Sequence, residues 1–145
     1  MDVRLRPVRH DDLPTFFEWQ RDPASVTLAG VPARERAAFD EHWARLLADP
    51  DAILRAIVAD GALVGQCLSW RAEGRRLVGY WLARDAWGRG IATRAFAEFL
   101  ALVPERPLHA IVRKENAASI RVLERSGFER AGEDPRGVWR YVLAR

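Results

Sequence analysis

A mixed-sheet α/β (α+β) domain is the fold class this sequence predicts, and three observations predict it. Segments with the two-residue alternation of strands interleave with segments that repeat apolar residues at helical spacing. The middle of the chain, residues 53 to 83, reads as an antiparallel meander turned at Asp60-Gly61 and at Glu73-Gly74. Beyond it helices and strands alternate singly, which makes the class α/β or α+β.

The elements follow in order. Val3 to Val8 alternates apolar and basic residues, as a half-buried strand does. Asp11-Asp12 supplies an N-cap, Pro14 falls in the first turn, and a helix carries Leu13, Phe16 and Phe17. Residues 21 to 32, with Pro23, Gly30 and Pro32, read as a loop. From Arg34 to Ala48, Phe39, Trp43, Leu46 and Leu47 recur on one helical face, and Asp49-Pro50-Asp51 stops the helix. Strands at Ile53 to Ala59, Leu63 to Trp70 and Leu77 to Ala83 form the meander. A helix from Gly90 to Leu102 buries Ala95, Phe96, Phe99 and Leu102, and Pro104 and Pro107 bracket its exit. Leu108 to Val112 is a short buried strand. Asn116 to Ser126 is a helix closed by Gly127. Val138 to Leu143 is the last strand, with Phe128 to Ala131 as a short partner.

Composition narrows the function classes. The 145 residues suit a single domain, 1–145, and 49% hydrophobic with 30% charged residues describes a soluble globular chain. No apolar run approaches a membrane span, and the first residues have no signal-peptide core, so a cytoplasmic protein without a membrane partner is expected. Cys67 is the only cysteine, which excludes a disulfide framework and any multi-cysteine metal site; no metal is expected. The net charge of +3 and pI near 9.7 come from 23 basic residues of which only Lys114 is lysine. The arginines are scattered among acids, so an ordinary solvated surface, with no nucleic-acid partner, is the expectation.

The most informative segment is Tyr80-Trp81-Leu82-Ala83-Arg84-Asp85-Ala86-Trp87-Gly88-Arg89-Gly90-Ile91-Ala92-Thr93. A strand ends, a turn with two glycines follows, and a helix opens. Glycine lets backbone approach a ligand, and the first helical N–H groups lack intrahelical partners, so such a turn suits a pyrophosphate. Arg89 adds a possible phosphate contact. A P-loop is excluded because no Gly-Lys-Ser/Thr follows. A dinucleotide fingerprint is disfavoured because Thr93 takes its third glycine position and only 55 residues follow Gly90.

A second segment, Asn116-Ala117-Ala118-Ser119-Ile120-Arg121-Val122-Leu123-Glu124-Arg125-Ser126-Gly127-Phe128, lies on the helix after the next strand. Together the two resemble the GCN5-related N-acetyltransferase (GNAT) superfamily, in particular its ribosomal-protein N-acetyltransferase branch. The superfamily signature Gln/Arg-x-x-Gly-x-Gly/Ala reads here Trp87-Gly88-Arg89-Gly90-Ile91-Ala92. Gly90 and Ala92 match, and Trp87 departs in the manner of that branch. Trp19-Gln20-Arg21-Asp22-Pro23 resembles the branch's first helix exit, so the likeness spans nearly the whole chain.

The resemblance implies a mostly antiparallel sheet whose fourth and fifth strands, Leu77 to Ala83 and Leu108 to Val112, are parallel and splay apart, with about four flanking helices. Acetyl-CoA, a cosubstrate, is then expected in the gap. The backbone of Leu82, Ala83 and Arg84 would pair with its pantetheine, and the Leu82 amide would polarise the thioester carbonyl as an oxyanion donor. Trp87 and the amides of Gly88, Arg89, Gly90, Ile91, Ala92 and Thr93 would surround the pyrophosphate, and Asn116 would hold the pantetheine arm. Many relatives carry a tyrosine acid seven residues after that asparagine, where this chain has Leu123. Ser119, one turn after Asn116, is the substitute general acid the branch suggests, set against a serine bonded to the carbonyl one turn back. The base stays open among Glu18, Glu41, Glu73, His109 and a water relay.

The expected activity is acetyl transfer from acetyl-CoA to a primary amine, in a ternary complex. The acceptor is a protein N-terminus or other peptide, or a small-molecule amine. The trimmed chain suits an open acceptor cleft or one completed by a partner, so monomer and homodimer both stand. A non-catalytic acyl-CoA-binding sensor is the alternative, because the usual tyrosine is absent.

Overall fold

Seven strands make one sheet in the computed structural model, which describes all residues, Met1–Arg145. They are β1 (Val3–Pro7), β2 (Ile53–Ala59), β3 (Ala62–Ala72), β4 (Arg75–Leu82), β5 (Leu108–Arg113), β6 (Glu129–Glu133) and β7 (Val138–Leu143). Their spatial order is β1-β2-β3-β4-β5-β7-β6. All neighbours are antiparallel except β4 and β5, which run parallel and pair only through Arg76 with Leu108 and Leu77 with His109. Beyond Leu77 the two strands diverge, so one edge of β4 is left open to Leu82. The expected mixed sheet with splayed fourth and fifth strands is the observed one.

Five helices flank the sheet: α1 (Leu13–Arg21), α2 (Pro23–Ala29), α3 (Arg36–Ala48), α4 (Ile91–Leu102) and α5 (Ala117–Arg125). Strand alternation assigns them to faces. Ile57, Cys67, Val78 and Leu82 point to one face, where Ile91, Ala95, Phe96 and Phe99 of α4 and Val122 and Leu123 of α5 complete the main core. Leu54 and Leu68 point to the other, against Phe16, Phe39 and Trp43 of α1 and α3. Cys67 is fully buried, as a small apolar residue would be, and burial pushes its thiol far up.

α5 ends in a Schellman turn: Gly127, at φ 95°, donates to Glu124 O at 3.1 Å and Phe128 N donates to Leu123 O at 3.0 Å.

Three expectations need correction. Residues 21 to 32 are not all loop, because α2 occupies Pro23–Ala29. Its start signals were present: the Asp22 side chain accepts from Ala24 N at 3.1 Å, Pro23 takes the first helical position, and Gly30 closes the helix at φ 76°. The helix expected from Arg34 begins at Arg36, after the Glu35 N-cap. Asp12 does not cap α1 with its side chain. Arg6 holds that carboxylate instead, through bonds of 2.8 and 2.7 Å, and the Arg9 amide adds a third at 2.8 Å.

Candidate active site

The open edge of β4 is the starting point. Ala83 N donates to Val64 O at 2.8 Å, so Ala83 faces β3. By the alternation of an antiparallel ladder, Leu82 and Tyr80 direct their backbone groups to the opposite edge, where β5 has moved away. Ala83 O is also occupied, accepting from Ala86 N at 2.9 Å. Both backbone groups of Ala83, expected to pair with a ligand, are thus bonded within the protein, whereas Leu82 lies on the open edge. Leu82 O accepts from the Trp87 indole N–H at 2.9 Å.

The glycine turn follows. Gly88 and Gly90 have φ of 73° and 78°, a region that side chains disfavour, and a Cβ on either would meet nothing within 4 Å. Trp87 N donates to Arg84 O and Arg94 N to Gly90 O. Between them, the amides of Gly88, Arg89, Gly90, Ile91, Ala92 and Thr93 donate to no protein acceptor. Six successive free amides where α4 begins, with the helix dipole behind them, make a cradle for an anion.

α5 forms the facing wall. Asn116 Oδ1 caps the helix by accepting from Ser119 N at 3.1 Å, which leaves its amide nitrogen to donate elsewhere. Ser119 Oγ does not bond the carbonyl one turn back. Ser126, the C-cap of the same helix, does so, to Val122 O at 2.7 Å. Ser119 therefore departs from the ordinary behaviour of a helix serine. The exposed Arg121 and Arg125, one turn apart, have no salt-bridge partner and border the same space.

That space is a cavity of about 350 Å³ bounded by α2, the end of β4, the glycine turn and α5. A smaller one of about 170 Å³ fills the splay between β4 and β5. Ala29, Tyr80, Asn116 and Ser119 line both. Of the residues singled out from the sequence, Leu82, Trp87, Gly88, Gly90, Ile91, Ala92, Thr93, Asn116 and Ser119 line this one cavity.

Other expected residues lie outside. The Arg84 side chain pairs with Asp22 at 3.4 Å, and Arg89 reaches toward Met1 rather than the cavity. None of the four carboxylate or imidazole base candidates lines either cavity. Glu18 pairs with Arg21, Glu41 pairs with Arg45, and Glu73 lies in the turn after β3. His109 points away from the face that buries Leu108 and Ala110, and burial, Arg75 and Arg140 all hold its pKa below the ordinary imidazole value. No cluster of three or more His, Cys, Asp or Glu could hold a metal, and no helix is long and apolar enough to cross a membrane.

Arg121, Arg125 and Tyr80 are among the site residues that escaped the sequence reading. Arg121 and Arg125 share a helix stripe with Ala118 and Val122, a spacing that was readable. Tyr80 lies within β4, two residues before its end, and gives no periodic signal of its own.

Comparison with known proteins agrees with this architecture. Residues 2–129 match the family model described as acetyltransferase (GNAT) domain. No curated protein matches the chain by sequence. Among solved structures, the aminoglycoside acetyltransferase AAC(6')-Ib in complex with coenzyme A superposes with a TM-score of 0.84 at 23% identity, covering 99% of this chain and 95% of its own. A structure of AAC(6')-Ib containing acetyl-CoA gives 0.83 at 25% identity, covering 100% and 94%. The spermidine N-acetyltransferase from Vibrio cholerae, in complex with CoA and spermine, gives 0.84 at 16% identity, covering 98% and 95%.

Proposed function

The chain belongs to the GNAT acetyltransferase domain family, and from that premise we propose that it moves an acetyl group from acetyl-CoA to a primary amine by direct attack in a ternary complex. The observation that carries the reading is the run of six unpaired amides, Gly88 to Thr93, opening onto the same cavity as the free edge of β4. An anionic cofactor with a polar arm suits such a site: the amides receive a pyrophosphate, and the open strand edge receives amide groups. Arg121 and Arg125 add cationic charge beside it.

Acetyl-CoA supplies the acyl group already activated as a thioester. In this reading Leu82 N–H, directed into the splay, polarises the thioester carbonyl and stabilises the charge that grows on its oxygen, an effect of a few kcal/mol. The Asn116 amide nitrogen orients the pantetheine arm. Ser119 Oγ, free of the helix backbone, serves the leaving sulfur as hydrogen-bond donor. Since no carboxylate or imidazole lines the cavities, the amine loses its proton to water in the cleft.

The acceptor belongs to the amines: a protein N-terminus, as in the ribosomal-protein branch, or a small-molecule amine. The glycine-turn and α5 motifs support the branch assignment. Acceptor binding is completed within one chain or by a second copy.

A second reading, a non-catalytic acyl-CoA-binding sensor, is favoured by one observation, the missing base. Turnover on a panel of peptide and small-molecule amines separates the two, because a sensor binds without turning over.

The test of the cofactor is a melting curve with acetyl-CoA, free CoA, ATP and NAD. A ligand at a hundred times its Kd adds about 2.7 kcal/mol, which raises the midpoint on the order of 5–10 °C. A shift confined to the CoA compounds is expected; no shift at saturating acetyl-CoA overturns the reading.

A further inference from the structure

We propose that the acceptor amine reaches the splay from the sheet face opposite α4 and α5, as the N-terminus of a peptide whose acidic side chains lie over Arg75 and Arg140. This rests on the acetyl-transfer reading and narrows its acceptor.

The splay passes through the sheet. By strand alternation Val78, Tyr80 and Ala110 point to the main core, and Gly79, Ile111 and Arg113 point to the opposite face. All six line the smaller cavity, which α2 borders at Ala29. The other helices leave its mouth on that face uncovered: α1 and α3 pack on Leu54 and Leu68 of β2 and β3, while Ile111 is 41% exposed. Gly79 adds no side chain there, and the Trp70 ring lies 3.7 Å from where its Cβ would stand.

Two unpartnered groups on this face fit a peptide. The Trp81 indole N–H is buried without an acceptor, and Trp81 lines the larger cavity. Gln66, its buried cross-strand neighbour, has Oε1 without a donor. Leaving both unmet is costly. An amine that donates, with a carbonyl beside it that accepts, satisfies the pair. A simple alkylamine satisfies only one.

Charge selects among peptides. The side chains that β4, β5 and β7 turn to this face include Arg75, His109, Arg113 and Arg140 and no carboxylate. Arg113 is engaged, donating to Thr27 O at 2.9 Å with Glu115 at 3.4 Å. Burial, and then the charges of Arg75 and Arg140, hold His109 below the ordinary imidazole value, so it adds no charge at neutral pH. Arg75 and Arg140 have no salt-bridge partner, since Arg136 holds Asp134 and Lys114 holds Glu133. Glu73, in the turn before β4, and Glu129, on the edge strand β6, lie farther from the splay. Arg140 pairs with Ile111 across the ladder, and its Nη2 lies 3.4 Å from where a Gly132 Cβ would stand, so the guanidinium rests on the sheet. Arg75 stands two residues, about 7 Å, along β4 from Leu77. No acid lines either cavity, so a polyamine entering here meets like charge and no partner.

The test follows thiol release from acetyl-CoA by the full chain. The acceptors are peptides with a common N-terminal alanine followed by glutamates or by lysines, with spermidine and butylamine beside them. At low salt the acidic peptide should exceed the basic one about tenfold in kcat/KM, and the gap should narrow at about 1 M salt. Arg75→Gln combined with Arg140→Gln should shrink that ratio about fivefold. A merely structural loss would lower both peptides alike and leave the ratio. Trp81→Phe should reduce the acidic peptide's lead over butylamine, which has no carbonyl. If the double variant fails to fold, Arg75→Gln, at an exposed position, carries the comparison. Equal turnover of the two peptides, a ratio unmoved by the arginine variants, a lead unmoved by Trp81→Phe, or spermidine as the better acceptor overturns the inference and leaves acetyl transfer standing. Acetyl-CoA binding with no amine turned over overturns the acetyl-transfer reading and the inference together, so the two failures are distinguishable.

Discussion

The Trp87 indole N–H donates to the Leu82 carbonyl oxygen at 2.9 Å, tying the glycine turn to the last residue of β4. This bond gives a physical role to the residue that departs from the family signature. It closes the turn between the strand edge and the amide cradle, the two halves of the proposed cofactor site, from within the protein. Trp87→Phe keeps the apolar body and removes the donor. We expect about 1 kcal/mol lower stability and a several-fold weaker affinity for acetyl-CoA by calorimetry. Unchanged affinity in the folded variant would separate the bond from the site.

The cradle itself can be tested without ambiguity about backbone strain. Gly90 and Gly61 both have positive φ, 78° and 82°, and a Cβ on either would meet nothing within 4 Å. Glutamate at each therefore carries similar strain, on the order of 1 kcal/mol. Only at position 90 does it bring negative charge to the free amides of the α4 N-terminus. Gly90→Glu should abolish the acetyl-CoA melting shift that Gly61→Glu retains. Equal shifts in the two variants would place the phosphates elsewhere.

Arg121 and Arg125 have no acidic partner, so their charge is available to a ligand. Because both are exposed, the contribution is modest and screened by salt. Replacing both with alanine should weaken coenzyme A binding about tenfold at low ionic strength. The gap should narrow at about 1 M salt, where the Debye length is roughly 3 Å. A deficit independent of salt would mean that packing, not charge, is lost.

Most of the fold was legible because hydrophobic period and turn chemistry agree locally. The Asp60-Gly61 hairpin, the apolar face of α4 and the Gly127 closure of α5 each read directly from neighbouring residues. α2 escaped because seven residues hold too little periodicity to outweigh a proline and a glycine at their ends, though those mark a helix start and stop. The candidate site was legible where it is backbone: Gly88, Gly90 and Asn116 announce free amides and a cap. It was illegible where it depends on tertiary approach. Nothing local tells that Ala83 is bonded to Val64, that Glu18, Glu41 and His109 lie outside both cavities, or that Tyr80 and Ser119 line the same space.

Asp12 illustrates a local reading displaced by a longer-range contact, and it makes a pH prediction. Its buried carboxylate accepts two bonds from Arg6 and one from the Arg9 amide, fixing the end of β1 to the start of α1. The Arg6 bonds hold the Asp12 pKa below the usual carboxylate range, opposed by burial and helped by Arg9. A carboxylate with a depressed folded pKa contributes stability that is fully present above its unfolded pKa and is lost as pH falls through the folded one. Arg6 is raised instead, which removes it further from any accessible titration. Asp12→Asn should therefore lose about 1.5–3 kcal/mol at neutral pH, the range for hydrogen bonds to charged groups. The gap to the wild type should close as the pH drops below about 4, the unfolded aspartate value. Urea unfolding of both proteins across that range measures it. A gap of the same size in acid and at neutrality would show that the pair acts through shape rather than charge.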